Sequence, residues 1–272
     1  LARDRTGKKP LYYGVWGNTL VFGSEPKALF AHAATKKEIN PDAVDAYLAL
    51  DYVPTPLSIY KDIYKLPPAT VLTHKEGTIT TRVFWQSPSD AAGMSEVEAI
   101  VELDKRLARA TASRLLSDVP LGVFLSGGID SSTVAYYAAR ATKEPIHTFS
   151  IGFDEASFDE SDYAKQVATQ IKSDHHHKTL TGADSLRVIP KVFEQLDEPM
   201  ADASIIPTYL LSEFTREHVT VALGGDGGDE LFAGYQTFQA EKAYTFISML
   251  PLGIGQKLLR LAARVVPTSS GY

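Results

Sequence analysis

The hydrophobic pattern changes period about one third of the way along the chain. Over residues 1–86 apolar positions alternate with polar ones in short runs interrupted by turns, the mark of small antiparallel strands. Leu11 to Trp16 and Leu20 to Gly23 flank Gly17-Asn18, and Thr70 to Thr73 and Thr78 to Thr80 flank Glu76-Gly77. Both spacings predict hairpins with tight turns. Residues 87–95 are rich in Ser, Pro, Ala and Gly and read as a linker. From residue 96 the apolar period alternates between two and 3.6, predicting helices near 95–116, 131–142, 159–172, 184–197, 205–216 and 229–249 and strands near 119–125, 146–152, 175–180 and 218–224. Strands alternating with helices imply a Rossmann-like α/β domain with a parallel sheet, its middle strands near-continuous apolar runs buried on both faces.

Two of those strands empty into unusual loops. Residues 119–132 read Val-Pro-Leu-Gly-Val-Phe-Leu-Ser-Gly-Gly-Ile-Asp-Ser-Ser. The glycines let backbone N–H groups approach an anion, Ser126, Ser131 and Ser132 add hydroxyls, and a following helix turns its positive end toward the same point. A Walker loop would carry a lysine, whereas here Asp130 stands in the loop. An acid beside a polyphosphate calls for a divalent cation between them, so the loop implies Mg²⁺ together with a nucleotide. An ordinary βα turn of small residues is the competing reading.

The second loop follows residues 218–223 and packs four glycines and three acids into positions 224–230. Such a loop has much conformational entropy to lose and little to pack, which points to a ligand. A calcium loop fits poorly, because the alternating oxygen ligands of a twelve-residue loop are absent. Loops that follow parallel strands share one sheet edge, so both can face one ligand.

The order strand, Ser-Gly-Gly-Ile-Asp-Ser, helix resembles the pyrophosphate loop of the ATP pyrophosphatases. Three more stretches narrow the resemblance to glutamine-dependent asparagine synthetases: Thr-Phe-Ser-Ile-Gly-Phe at 148–153 with Phe-Asp-Glu-Ser at 158–161, Asp197-Glu198-Pro199 leading to Asp-Ala-Ser-Ile-Ile-Pro-Thr at 202–208, and Gly-Asp-Gly-Gly-Asp-Glu at 225–230 followed by Leu-Phe-x-Gly-Tyr. Residues 3–13, 22–29 and 66–69 resemble the later half of the family's N-terminal-nucleophile glutaminase domain. The resemblance implies ATP-dependent formation of asparagine through β-aspartyl-AMP, with release of AMP and pyrophosphate and nitrogen from glutamine or ammonia. β-Lactam synthetases share these motifs with a different acceptor, and a nucleotide-binding module without turnover is a reading from another class.

Residue roles follow from the same resemblance. Ser126, Gly127, Gly128, Asp130 and Ser131 would bind the β and γ phosphates, Leu125 and Ile151 would border adenine, and Gly225 would lie against the nucleotide. Asp130 and Asp229 would hold Mg²⁺, and Asp130 and Asp226 would act in catalysis, Asp226 standing where many relatives carry the longer glutamate. The family's glutaminase uses an N-terminal cysteine, and this chain has none and opens on Leu1. The sequence therefore reads as a fragment, residues 1–86 belonging to a partial glutaminase domain and 96–272 to a partial synthetase domain cut at its C-terminus.

Composition narrows the partners. A net charge of −6 without basic stripes argues against nucleic acid, and no apolar run reaches the length of a membrane span. A cytoplasmic enzyme acting on aspartate and glutamine or ammonia is expected, and a homodimer is compatible with the resemblance. Other clusters read as structural. His175-His176-His177 alternate faces on a strand and cannot converge on a metal. Tyr136 and Tyr137 read as core and flank, Asp202 and Ser204 either as caps of the next helix, Ser204 at its N-cap, or, as the resemblance implies, as parts of a substrate pocket, and Asp159, Glu160 and Asp162 as first-turn acids. Arg3, Asp4 and Arg5 read as a solvated charge cluster without a catalytic part.

Overall fold

A computed structural model describes residues 1–88, 93–154, 161–235, 237–238, 241 and 244–245. The chain divides into two compact units, the first made of residues 1–106, 151–158 and 178–218, the second of 107–150, 159–177 and 219–272.

The first unit opens with β1 (Tyr12–Trp16) and β2 (Thr19–Gly23), antiparallel with Trp16 opposite Thr19. Gly17 alone in that turn has positive φ, the type II′ pattern. Two helices follow, α1 (Pro26–Leu29) and α2 (Pro41–Leu50), the latter capped by the Asn40 side chain accepting from Asp42 N. β3 (Tyr64–Lys65) adds to β1, giving the order β2-β1-β3. β4 (Thr70–Lys75) and β5 (Thr78–Val83) form the second hairpin, with Glu76 and Gly77 both at positive φ. That is the type I′ turn whose twist matches the strands.

The helix α3 (Glu96–Arg114) begins at a capping box, Ser95 Oγ accepting from Glu98 N and the Glu98 carboxylate accepting from Ser95 N at 2.9 Å. After it come β6 (Leu121–Phe124), α4 (Ile129–Ala141), β7 (His147–Phe153), α5 (Ser161–Ile171), β8 (Asp174–Leu180), α6 (Gly182–Gln195), α7 (Ile205–Arg216), β9 (Val221–Leu223) and α8 (Gly228–Phe232). The expected βαβ alternation is present. β6 pairs in parallel with both β7 and β9, and the sheet order is β8-β7-β6-β9. Counted from β6 this is 3-2-1-4, the Rossmann order, whose direction reverses between β6 and β9.

In the second unit Val123 and Leu125 pack against Ala135 and Ala138 of α4 and Ala164 and Ala168 of α5. The small alanines let both helices lie close to the strand. In the first unit Leu180, Val188, Val192 and Leu210 form a separate core joined by Ile151 and Phe153.

Several expectations need correction. β7 is not an apolar run, since Thr148 and Ser150 are buried on one face. They are satisfied across the sheet, Thr148 by Ser173 and His175, Ser150 by His175 and His177, as buried hydroxyls require. Burial, then the neighbouring imidazoles, push the pKa of His175 down. The helix expected over 229–249 is interrupted, since α8 ends at Phe232 and Ala233 turns left-handed, while residues 237, 238, 241, 244 and 245 of the same span are helical. Ser204 occupies the N-cap of α7 but makes no side-chain cap bond; instead the Asp202 carboxylate accepts from Ser204 N at 2.8 Å. The cap bond is missing because Ser204 has helical backbone, φ −67 and ψ −13, and Pro207 at the third helical position has no N–H to offer its hydroxyl. Residues 155–160, with Asp159 and Glu160, lie outside the described residues, as does most of 236–272.

Candidate active site

Both glycine loops belong to the second unit and leave the same sheet edge. β6 ends at Phe124, and Leu125 N donates to Phe149 O at 2.8 Å, fixing where the first loop begins. Gly127 sits at φ +89, and a Cβ there would lie 2.6 Å from both Tyr163 Cβ and Ala164 N of α5. Only glycine meets both conditions. Gly128 then serves as N-cap of α4 without a side-chain cap, so the first-turn N–H groups of that helix are left for another acceptor.

The loop is stitched from inside. The Ser126 and Ser131 hydroxyls lie 2.9 Å apart, Ser131 Oγ donates to Gly128 O at 3.2 Å, and Ser126 Oγ accepts from Gly128 N at 3.3 Å. These hydroxyls hold the loop shape, while the Ser132 hydroxyl is buried and meets no partner among the described residues.

The second loop closes onto the first. A Cβ on Gly225 would lie 2.8 Å from Ser131 N and 3.0 Å from Asp130 Cβ, and one on Gly228 would overlap the Asp130 carboxylate. Bare backbone at these two positions is what allows the loops to touch. Asp229 stands next to Gly228 in the first turn of α8, its carboxylate against Gly234, while the Asp226 carboxylate folds back over Gly224. The Tyr235 hydroxyl donates to Glu230 at 3.0 Å, and that bond, burial and the charges of Glu230, Asp229 and Asp130 push its pKa up. Several acids are therefore felt at one phenol. Among the described residues no basic side chain pairs with Asp130, Asp226 or Asp229.

A cradle of backbone N–H groups lined by uncompensated acids suits a polyphosphate with its divalent cation. Mg²⁺ characteristically takes one or two carboxylates and completes its shell with phosphate oxygens and water, and Asp130, Asp226 and Asp229 are carboxylates of these two loops that could serve. Ile151 lies in the first unit, packed in the Leu180 core, whereas Leu125 and both loops lie in the second. The sequence reading did not single out Tyr163, whose backbone shapes Gly127. Its only signal was a position in the helix after β7.

Strand order and loop chemistry define the class, an α/β protein with paired glycine loops at the switch point of a parallel sheet. The particular family is fixed by sequence: the chain belongs to the asparagine synthase family, residues 102–266 matching that family and residues 1–85 matching a glutamine amidotransferase domain. A relative in Methanocaldococcus jannaschii named for glutamine-hydrolysing asparagine synthetase is 41% identical over 271 residues, covering 98% of this chain and 52% of the relative. Asparagine synthetase 1 (glutamine-hydrolysing) of Bacillus subtilis is 33% identical, covering 96% of this chain and 41% of its own. The chain thus spans about half, or less, of the length of these curated relatives. Among solved structures, an NH3-dependent NAD synthetase from Campylobacter jejuni aligns at 18% identity and a TM-score of 0.35, over 50% of this chain and 60% of that one. Among the described residues no helix is long and apolar enough to cross a membrane.

Proposed function

We propose that the protein to which this chain belongs makes asparagine, activating the aspartate side-chain carboxylate with ATP to β-aspartyl-AMP and pyrophosphate, after which ammonia, free or drawn from glutamine, displaces AMP. Residues 96–272 belong to its synthetase domain and residues 1–86 to its glutaminase domain. The observation that carries this reading is the closure of Gly225 and Gly228 onto Asp130 and Ser131 N. That contact brings the second glycine loop against Asp130 and the start of α4, which supports the two loops acting on one ligand.

In this reading the loop 126–131 holds the β and γ phosphates through backbone N–H groups, with α4 adding its positive end. Asp130 and Asp229 would hold Mg²⁺, which would supply charge neutralisation for the departing pyrophosphate. Gly225 lies against the nucleotide. Asp226 would receive a proton from the attacking ammonia, the role of a carboxylate base. The main catalytic effect is positioning and charge stabilisation of the leaving group.

Calorimetric titration with ATP, with and without Mg²⁺, on the chain and its Asp130→Ala variant tests the site. Saturable Mg²⁺-dependent binding that the variant loses supports it. Binding that survives Asp130→Ala, or needs no Mg²⁺, counts against the assignment of the loops. Aspartate-dependent pyrophosphate release by the full-length protein tests the substrate.

A further inference from the structure

The opposite edge of the same sheet carries a second convergence. His147 opens β7, and Asp174 and His176 lie two residues apart on β8, so both point to one face. Asp174 N donates to Ile146 O at 2.9 Å, which sets the start of β8 beside the start of β7. The neighbouring strand thus supplies the third group that a run of adjacent histidines could not. His147 Nδ1 lies 3.0 Å from Asp174 Oδ2 and 3.3 Å from His176 Nε2, and Asp174 Oδ2 lies 3.4 Å from His176 Nε2.

That triangle has the dimensions of a coordination face. Donors about 2.0–2.1 Å from a tetrahedral zinc are separated by about 3.3 Å. Hydrogen bonds explain the triangle less well. Each imidazole nitrogen directs its proton or lone pair along one line in the ring plane, so it cannot serve both other corners at once, whereas one central cation serves all three. The rings are also held in place. Phe149 stacks on His176 with centroids 5.0 Å apart and planes 14° from parallel, and bare Gly122 leaves room for the Phe149 ring.

We propose that His147 Nδ1, Asp174 Oδ2 and His176 Nε2 bind a borderline divalent transition metal, Zn²⁺ in the first place, at the strand-start edge of the sheet. Two imidazoles and one carboxylate favour such a cation over Mg²⁺ or Ca²⁺, which prefer all-oxygen shells. Side-chain exposures of 41% for His147, 53% for Asp174 and 22% for His176 leave the fourth corner to water. The site is separate from the glycine loops, which lie at the strand-end edge, and it does not depend on the function proposed for them. Its effect is to clasp the starts of β7 and β8.

The test is calorimetric titration of the full chain with ZnCl2 against a background of excess MgCl2, which screens weak oxygen-only sites. One Zn²⁺ per chain is expected. His147→Ala and Asp174→Asn should each weaken it by about tenfold or more, since even outer partners of metal ligands cost that much, and the exposed control His32→Gln should leave it unchanged. A second measurement needs no variant: in the unmodified protein, imidazole ¹⁵N resonances should shift at His147 Nδ1 and His176 Nε2 on adding Zn²⁺. Failure to bind Zn²⁺, binding indifferent to both substitutions, or unmoved resonances at those two nitrogens would overturn the proposal.

Discussion

At the residue scale, Glu198 ties separate stretches of the first unit together. Its carboxylate takes Lys65 Nζ at 2.5 Å, Ile59 N at 2.8 Å and the Tyr12 hydroxyl at 3.1 Å, and Lys65 in turn donates to Val53 O. With both charges nearly buried, removing one strands the other. Glu198→Ala should cost about 3–5 kcal/mol in urea unfolding, and Glu198→Gln less, because it keeps an acceptor for Ile59 N. Equal losses from the two variants would show that charge is not what matters. Gly127→Ala adds both positive-φ strain and a clash with Tyr163. A loss of roughly 1–3 kcal/mol is expected, with weakened ATP binding; an unchanged melting temperature would refute it. Asp4 concerns pH. Its carboxylate accepts from Lys9 N at 2.9 Å and Lys8 N at 3.0 Å, and these bonds, the Lys9 one first, lower its pKa from 3.8 to about 2. A lowered folded pKa stabilises above the unfolded value, so this contribution is present above about pH 4 and fades as pH falls toward 2. A carboxyl NMR titration with its midpoint near 3.8 would contradict the structure. Within the charge cluster at 3–5, Arg3 and Asp4 are thus knitted into the fold, the Arg3 guanidinium donating to Leu66 O, Gly7 O and Lys9 O, while Arg5 is exposed.

At the element scale, α6 starts from a reciprocal capping box, Thr181 Oγ1 accepting from Asp184 N while the Asp184 carboxylate accepts from Thr181 N. Thr181→Ala should cost about 0.5–2 kcal/mol, read by thermal unfolding, and no change would mean that packing of α6 against α7 alone fixes its start. Most elements were legible because their signals are local. Gly17-Asn18 and Glu76-Gly77 demand turns whatever surrounds them, and the glycine loops announce a strand before and a helix after. Strand order was less so. That β9 inserts beside β6 depends on contacts between residues about a hundred positions apart and has no local trace. The buried hydroxyls of Thr148 and Ser150 were hidden for the same reason, since their partners lie on another strand. The His147 group was missed because its spacing crosses two strands. At the loops, residue type foretold chemistry well, while Tyr163 contributes through its backbone and position, which its side chain does not advertise.

At the scale of the whole molecule, the first unit is assembled from three separate stretches of chain. A chain ending at residue 150 would leave Tyr12, Lys65 and Ile59 N without Glu198, so the early strands should unfold at a lower temperature than in the full chain. Identical melting of those strands in both would show that residues 1–106 are self-sufficient. The sheet of the second unit has a similar dependence, because its last strand pairs with its first. During synthesis β6, β7 and β8 leave the ribosome well before β9, and for that interval the first glycine loop has no Gly225 or Gly228 to close upon. On the function proposed above, a chain whose sheet still lacks β9 also lacks half of its nucleotide cradle, so affinity for ATP would report that the sheet has been completed.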